Sequence, residues 1–588
     1  MASQATTDLS LTMKAELCAY AHTSRHDCWA VVNVKAPLFK PETRVPIDVV
    51  AVIDVSRSMA KVKLKLVKQA LLFFIGQLNE HDRFSLVTYH SDVCLQFGLI
   101  QMTPENMAGV KDAINGLECC PGTNLCGGLL KGMKEIAYNS DPEKTKVKSV
   151  LLLTDGLPSV GAKTKEEVLA KMMQIQNSQE EKAAKKKFDG TVYTFGFGAN
   201  HDAGMLAAIS TQGGGVYYFI DSNEKIPESF ADCLGGLQTV LGQNLSLELA
   251  ILGENQLYYV HSSHTGNWTS VNKSWKVSLG DIQYEERRDI VMNLILPALG
   301  ASRTECVLKA TLSYFNVISS SMQTISCDLV VNRTDTAPGV PDADLDQQRN
   351  RVVAASTLKL AKALADQGNR KDATTLLMKT ITNIQRSVSA QSDFSKALLA
   401  DLRTSTDSLH TPKLYLSHGK QYMCSKMQTH VKQRSNFVDD QKYYQSSSKE
   451  SLKRASKFVM SVPSASLESS DAAPVLPPRP HSPLVPSEGP ILHLPPRMYP
   501  VLPPRSHASL EPSQGPVLPP RSLASLEVFQ FQDHIPPPPH PQAPPPYTQL
   551  PPVYTVPASP EPSEGPLPPL QPPTSLEQSQ GPVPPESH

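Results

Sequence analysis

Nine residues at 47–55, IDVVAVIDV, constrain the fold of this chain most. A near-continuous β-branched run of strand length suits a strand buried on both faces, and such strands belong to parallel sheets covered by helices on either side. The downstream segments agree. Residues 59–78 read as a helix, with Val62, Leu66, Ala70, Phe73 and Phe74 recurring on one face. Residues 84–89 and 93–100 read as strands, and 104–114 as a helix with Thr103 as N-cap and Pro104 at its first position. Residues 125–137 form a further helix and 147–154 (VKSVLLLT) a second doubly buried strand. Helix 165–181, strand 191–198, helix 203–209 and strand 216–220 complete the alternation. It predicts a doubly wound, mostly parallel α/β domain over residues 46–234.

The flanks differ in character. Residues 1–45 and 235–335 carry alternating patterns such as Trp29-Ala-Val-Val-Asn-Val and Cys306-Val-Leu-Lys-Ala-Thr-Leu, which suit half-exposed antiparallel strands. Neither flank is large enough alone, so together they predict one β-sandwich with the α/β domain inserted between its strands. At 345–435 the pattern turns helical: Val352, Leu358, Leu360, Ala361 and Leu364, a stop at Gly368-Asn369, then 373–384, with an amphipathic stretch near 396–432 packing back on this hairpin. Of the 50 prolines, 12 precede residue 462 and 38 come after it, so residues 462–588 are expected to be disordered with local polyproline II.

Lys plus Arg and Asp plus Glu are 56 each, which leaves no net field to draw nucleic acid or an anionic membrane. No stretch approaches the roughly 18–20 apolar residues of a membrane span, and residues 1–12 lack the basic start and apolar centre of a secretory signal. The expectation is a soluble, cytoplasmic protein. Its ten cysteines show no framework rhythm, and Cys119, Cys120 and Cys126 lack the second pair or histidine of a zinc site.

The chemistry concentrates where strands end. Asp54-Val-Ser56-Arg-Ser58 lies at the end of the first buried strand, Thr154-Asp155-Gly156 ends the other, and Gly122-Thr123-Asn124 opens a helix. The carboxyl edge of an open α/β sheet is where ligands bind. Three hydroxyls and two carboxylates make an incomplete all-oxygen octahedron that suits a hard cation, Mg²⁺ first, with Ca²⁺ or Mn²⁺ as alternatives. Each element alone is weak, since Ser and Asp are favoured at any strand-to-helix turn. Their order and placement resemble the metal-ion-dependent adhesion site of von Willebrand factor type A (VWA) domains. The resemblance implies that Ser56, Ser58 and Thr123 ligate the metal, that Asp54 and Asp155 act mostly through bound water, and that a partner carboxylate takes the open position. Arg349-Asn-Arg351-Val, Ala365-Asp-Gln-Gly-Asn, Gly419-Lys-Gln-Tyr422 and His430-Val-Lys-Gln-Arg434 extend the resemblance to the plant RING-and-VWA proteins. No Cys/His array precedes the α/β domain in this sequence, so their ubiquitin-ligase activity is not carried over.

The tail reads as a docking array. Pro474, Pro477 and Arg479 fit an SH3 ligand of the form PxxPxR, repeated at Pro500, Pro503 and Arg505 and at Pro516, Pro519 and Arg521. Pro544-Pro545-Pro-Tyr547 and Pro551-Pro552-Val-Tyr554 are PPxY elements of the kind WW domains read, spaced for bivalent capture. The leading expectation is a binding or scaffold protein, not an enzyme. The alternative is a secreted, matrix-associated protein similar to inter-alpha-trypsin inhibitor heavy chains, for which the sequons at Asn244, Asn267, Asn272 and Asn332 would matter.

Overall fold

A computed structural model describes residues 8–40, 43–140, 147–177, 187–261, 266–269, 273–336, 339–436 and 442–461. The tail motifs and Asn272 lie outside these residues.

Three sheets organise the chain. Strands β1 (Ser10–Ala15), β2 (Ala19–Ala21) and β3 (His26–Lys35) come first, and then β4 (Ile47–Asp54), β5 (Arg83–Tyr89), β6 (Val93–Gln101), β7 (Val147–Thr154), β8 (Thr191–Phe197) and β9 (Gly214–Ile220). These last six form one sheet in the order β6-β5-β4-β7-β8-β9, parallel except for β6, which runs antiparallel at one edge. Its helices are α1 (Val62–Gly76), α2 (Pro104–Asn115), α3 (Leu125–Asn139), α4 (Lys165–Gln176), α5 (Ala203–Gln212) and α6 (Ile226–Leu237). Every residue of β4 is buried, and the strand's period of two divides them. Val49, Ala51 and Ile53 face a core with α1, α2 and α6, while Val50 and Val52 face one with α3, α4 and α5. Burial on both faces is why the run is apolar at nearly every position.

The α3 layer approaches β4 closely at Gly132, where an added Cβ would lie 2.5 Å from Val52 Cγ2 and 3.2 Å from Val150 Cγ1. Gly132→Val is expected to destabilise the protein by about 1–3 kcal/mol through overpacking, read as a lower urea midpoint.

The remaining strands are β10 (Val240–Ile251), β11 (Gln256–His261), β12 (Gly266–Thr269), β13 (Ser274–Gln283), β14 (Arg287–Leu296), β15 (Arg303–Asn316) and β16 (Ser321–Thr334). They join the amino-terminal strands in two sheets, β1-β3-β14-β11 and β12-β13-β10-β15-β16-β2, around a shared core that includes Val32, Val34, Leu247, Leu249, Met292 and Leu312. The amino-terminal flank is divided between the sheets, with β2 crossing to pair in parallel with β16. The inserted domain is anchored at one turn. Ala36 N donates to Glu286 O on the way in, and Tyr284 N donates to Thr239 O on the way out, at 2.9 and 2.7 Å.

The helical region comprises α7 (Ala343–Asp366), α8 (Arg370–Gln385), α9 (Asp393–Asp407), α10 (Pro412–Leu414), a π-helical turn (Tyr415–Gly419), α11 (Lys420–Lys432) and α12 (Ser447–Ser461). Gly368, at φ 85°, stops α7 in a backbone conformation suited to glycine. The motifs of this region serve docking. On α11, Gln428 Oε1 accepts from Tyr217 N at 2.9 Å, occupying a backbone donor on the β9 edge. Arg351 donates to His430 O and to Asp289 O, each at 2.7 Å, joining α7, α11 and the sandwich.

Several sequence boundaries shift for physical reasons. The first α/β helix starts at Val62, because residues 57–59 form a 3-10 turn and Lys61 takes φ 67°. The fourth helix ends at Gln176 instead of continuing to 181, and residues 178–186 lie outside the described residues. The stretch at 396–432 is three helices, α9, α10 and α11, with a π-helical turn between the last two, and it is broken at residues 408–411, just before Pro412 opens α10. Helices α6 and α12 have no counterpart in the sequence pattern. Helix α6 is buried along almost its whole length, taking the polar Ser229 and Asp232 inside with it, and α12 is amphipathic but lies beyond residue 435, where the helical region read from the sequence ends.

Candidate metal-binding site

The α/β chain begins in the middle of its sheet, at β4, and β5 and β7 lie on either side of it, which places a topological switch point between β4 and β7. In this parallel pair Ile53 stands beside Leu153, so Asp54 and Thr154 end their strands together. Thr154 Oγ1 donates to Asp54 Oδ2 at 2.7 Å, and Ser56 N donates to Asp54 Oδ1 at 2.8 Å, which turns the chain out of β4. Ser56 Oγ lies 2.9 Å from Ser58 Oγ, and Ser58 Oγ donates to Asp155 Oδ1 at 2.6 Å. Four of the five expected residues are therefore linked in one hydrogen-bonded series, Asp54 to Ser56, Ser56 to Ser58 and Ser58 to Asp155.

Thr123 arrives on a third loop that is tied to both others. Cys120, three residues earlier, bridges to Ser56 in parallel, and Cys120 N donates to Val55 O at 2.8 Å. Thr123 N donates to Ser159 Oγ at 2.9 Å, and Thr123 O accepts from Ser159 N at 3.0 Å, four residues past Asp155. Gly122 makes this loop possible at φ 91°, where an added Cβ would lie 2.1 Å from Ser91 Oγ.

The site is desolvated beneath and open above. Asp54, Ser56, Thr123 and Asp155 are buried, while Ser58 and Arg57 are exposed. Burial pushes the Asp54 carboxyl up to about 6, against the hydrogen bonds from Thr154 and Ser56 that favour its ionised form. Among the described residues no group of three or more His, Cys, Asp or Glu side chains could hold a metal. No disulfide joins any of the cysteines among the described residues.

Two contributors escape sequence reasoning. Thr154 reads in the sequence only as the end of a strand. Lys63 Nζ lies 2.5 Å from Asp155 Oδ2, a contact the motif does not announce. A signal exists: α1 has no acidic residue in its first turn and carries Lys61, Lys63 and Lys65 at its positive end, an arrangement that needs nearby anions.

A family model described as von Willebrand factor type A domain matches residues 48–232, and one described as CPSF6-like, RSLD domain, N-terminal region matches residues 342–454. The chain is similar to the E3 ubiquitin-protein ligase WAV3 of Arabidopsis thaliana, 26% identical over 341 residues, covering 57% of this chain and 41% of WAV3. It is also similar to inter-alpha-trypsin inhibitor heavy chain H1 of Homo sapiens, 33% identical over 189 residues, covering 31% of this chain and 20% of H1. The matches thus span about two fifths and one fifth of these relatives. A solved von Willebrand factor type A structure from Catenulispora acidiphila shares the fold at TM-score 0.54 and 15% identity, over 73% of this chain and 97% of that one. Strand order, the switch-point placement of Asp54 and Asp155 and the matched span agree, and residues 48–232 of this chain are a von Willebrand factor type A domain.

Proposed function

We propose that this domain grips an acidic group on a partner protein through a divalent cation, and that the chain works by binding and not by catalysis. The observation that carries this reading is Ser58 Oγ, which lies within hydrogen-bond distance of both Ser56 Oγ and the Asp155 carboxylate and so joins two distant sequence elements in one pocket. The donors fit a hard cation, because all five residues offer oxygen, and a positive charge, the Lys63 ammonium, already rests on Asp155. Ser56, Ser58 and Thr123 would hold the ion directly, with Asp54 and Asp155 behind them. When bound, the cation supplies a point of strong attraction for a partner carboxylate, with Mg²⁺ favoured by the oxygen set.

The surroundings suit an acidic partner. Arg57, Lys61 and Lys65 are exposed on the segment just after Asp54, and Val62 and Leu157 expose apolar side chains beside the same two loops. Catalysis is disfavoured by the hydroxyls' own partners: Ser56 and Ser58 are bonded to each other and Ser58 to Asp155, and among the described residues no histidine is hydrogen-bonded to either hydroxyl. The SH3 and WW motifs of the tail are proposed as a second, independent docking array on the strength of the sequence alone. A cytoplasmic location is proposed on the spacing of the ten cysteines, which has no rhythm of a disulfide framework.

Affinity purification of the full chain tests this reading. Chelator, or the Ser56→Ala/Ser58→Ala variant, is expected to remove one set of partners and spare those lost from a Tyr547→Ala/Tyr554→Ala variant. Recovery of the same partners in chelator as in Mg²⁺ would refute the metal grip.

A second reading, a secreted matrix-associated protein, draws support from the similarity to heavy chain H1 and from the exposure of Asn244, Asn267 and Asn332. Mass spectrometry of the native protein separates the two. Glycan on Asn267 or Asn332 decides for secretion, and unmodified peptides decide for the cytoplasm.

A further inference from the structure

Lys63 is the second residue of α1, and its ammonium contacts Asp155 Oδ2 at 2.5 Å. The carboxylate is wholly buried, whereas the lysine side chain is 29% exposed. Asp155 Oδ1 is taken by Ser58 Oγ at 2.6 Å, so both carboxylate oxygens are engaged by the chain itself. Asp54 differs: its partners are the Thr154 hydroxyl and the Ser56 backbone, and among the described residues no cation pairs with it. A buried carboxylate needs a compensating charge or several donors. Here the charge comes from a long, flexible side chain with an open route to water.

That geometry cannot persist unchanged beside a bound divalent ion. An ammonium and a dication drawn to one carboxylate repel each other, most strongly in a partly dehydrated cleft. The lysine is the party free to leave, because its stem can extend from the start of α1 into solvent, whereas the hydroxyls and carboxylates are fixed at strand ends and in a short turn.

We propose that Lys63 and the divalent cation compete for Asp155, so that the ammonium holds the carboxylate in the metal-free protein and is released when the ion binds. Lys63 then sets the cation concentration at which the site fills. Once released, it stands beside the ion as a second positive group for the incoming acidic partner. This inference rests on the metal reading above, and the test distinguishes failure of one from failure of the other.

The experiment is a Mg²⁺ titration by calorimetry, repeated with Mn²⁺, on the full-length wild-type chain and on Lys63→Met, Lys63→Gln and Lys63→Arg, with circular dichroism confirming the fold of each. Lys63→Gln keeps a donor to Asp155 without the charge and guards against a folding defect in Lys63→Met. Both neutral variants are expected to bind the ion at least about tenfold more tightly than wild type, and Lys63→Arg to stay within about threefold of it. Melting curves add a second readout. Without metal the neutral variants should melt lower than wild type, and their rise on adding Mg²⁺ should be larger. Neutral variants that bind the ion no more tightly than wild type would overturn the competition while leaving the metal site intact. Absence of binding to all four proteins would overturn both. Binding to the neutral variants alone would support the competition in its strongest form.

Discussion

Asp54→Asn is expected to lose Mg²⁺ affinity by about 10–100-fold or more and, in chelator, to be more stable than wild type. The two effects share one cause. Asp54 is fully buried beneath the site, and burial raises its carboxyl from 3.8 to about 6. A carboxyl whose folded value lies above its unfolded value binds its proton more tightly in the native state. The stability this contributes is complete below about pH 4 and is lost as pH rises through about 6. Above that range the ionised side chain is a cost that a bound cation would offset and that a neutral amide of the same shape removes. Asparagine Oδ1 can still accept from Ser56 N, and its amide can donate to the Thr154 hydroxyl. In chelator at about pH 8 the variant is expected to gain about 1–3 kcal/mol, within the range that such a shift allows. Calorimetry with Mg²⁺ and urea denaturation in chelator check the two halves. A variant that binds Mg²⁺ as wild type does would show that Asp54 has no part in holding the ion.

Glu286→Ala is expected to be the most destabilising single change away from the metal site. Glu286 is buried in the turn that carries both crossings of the inserted domain, and accepts from Arg288 Nη2 at 2.6 Å, Arg434 Nε at 2.6 Å and Arg434 Nη2 at 2.9 Å. Burial opposes its ionisation, but the two guanidiniums win and hold the carboxyl down at about 2, against an ordinary 4.5. Removing it leaves two buried cations without their anion, which costs about 3–5 kcal/mol. The same pair sets a pH dependence. For a depressed carboxyl the stabilisation is present above about 4.5 and is lost as pH falls through about 2. Acid unfolding of wild type should therefore be steep in that window, and Glu286→Ala should flatten it. Equal urea midpoints at about pH 7 would show that the pair is not holding the helical region to the sandwich.

Much of the fold is legible before any coordinates. The run at 47–55 is apolar at nearly every position because both faces of β4 are covered, and this is the property that marks a central parallel strand. Thr103 and Pro104 announce α2 through the cap and first turn that they form. Asp54, Ser56, Ser58, Thr123 and Asp155 are legible as candidates because hydroxyls and carboxylates at strand ends have a chemistry of their own. Boundaries are less legible. Helix α1 begins three residues late because the 3-10 turn at 57–59 is needed to aim Ser58 at Asp155, a demand set by a residue 97 positions away.

The amino-acid sequence by itself determined most of the strands and helices of the α/β domain, though not α6, the double burial of its central strands, and which oxygens wait at the sheet's edge. These features arise from periodicity and side-chain chemistry, which are local. Only the tertiary structure decided that β2 crosses to the second sheet, that Arg434 closes on Glu286 over 148 positions, and that Lys63 is the cation resting on Asp155. Such pairings depend on where separate elements come to lie after the cores have packed, and an ion pair between distant segments leaves no period in the chain that forms it.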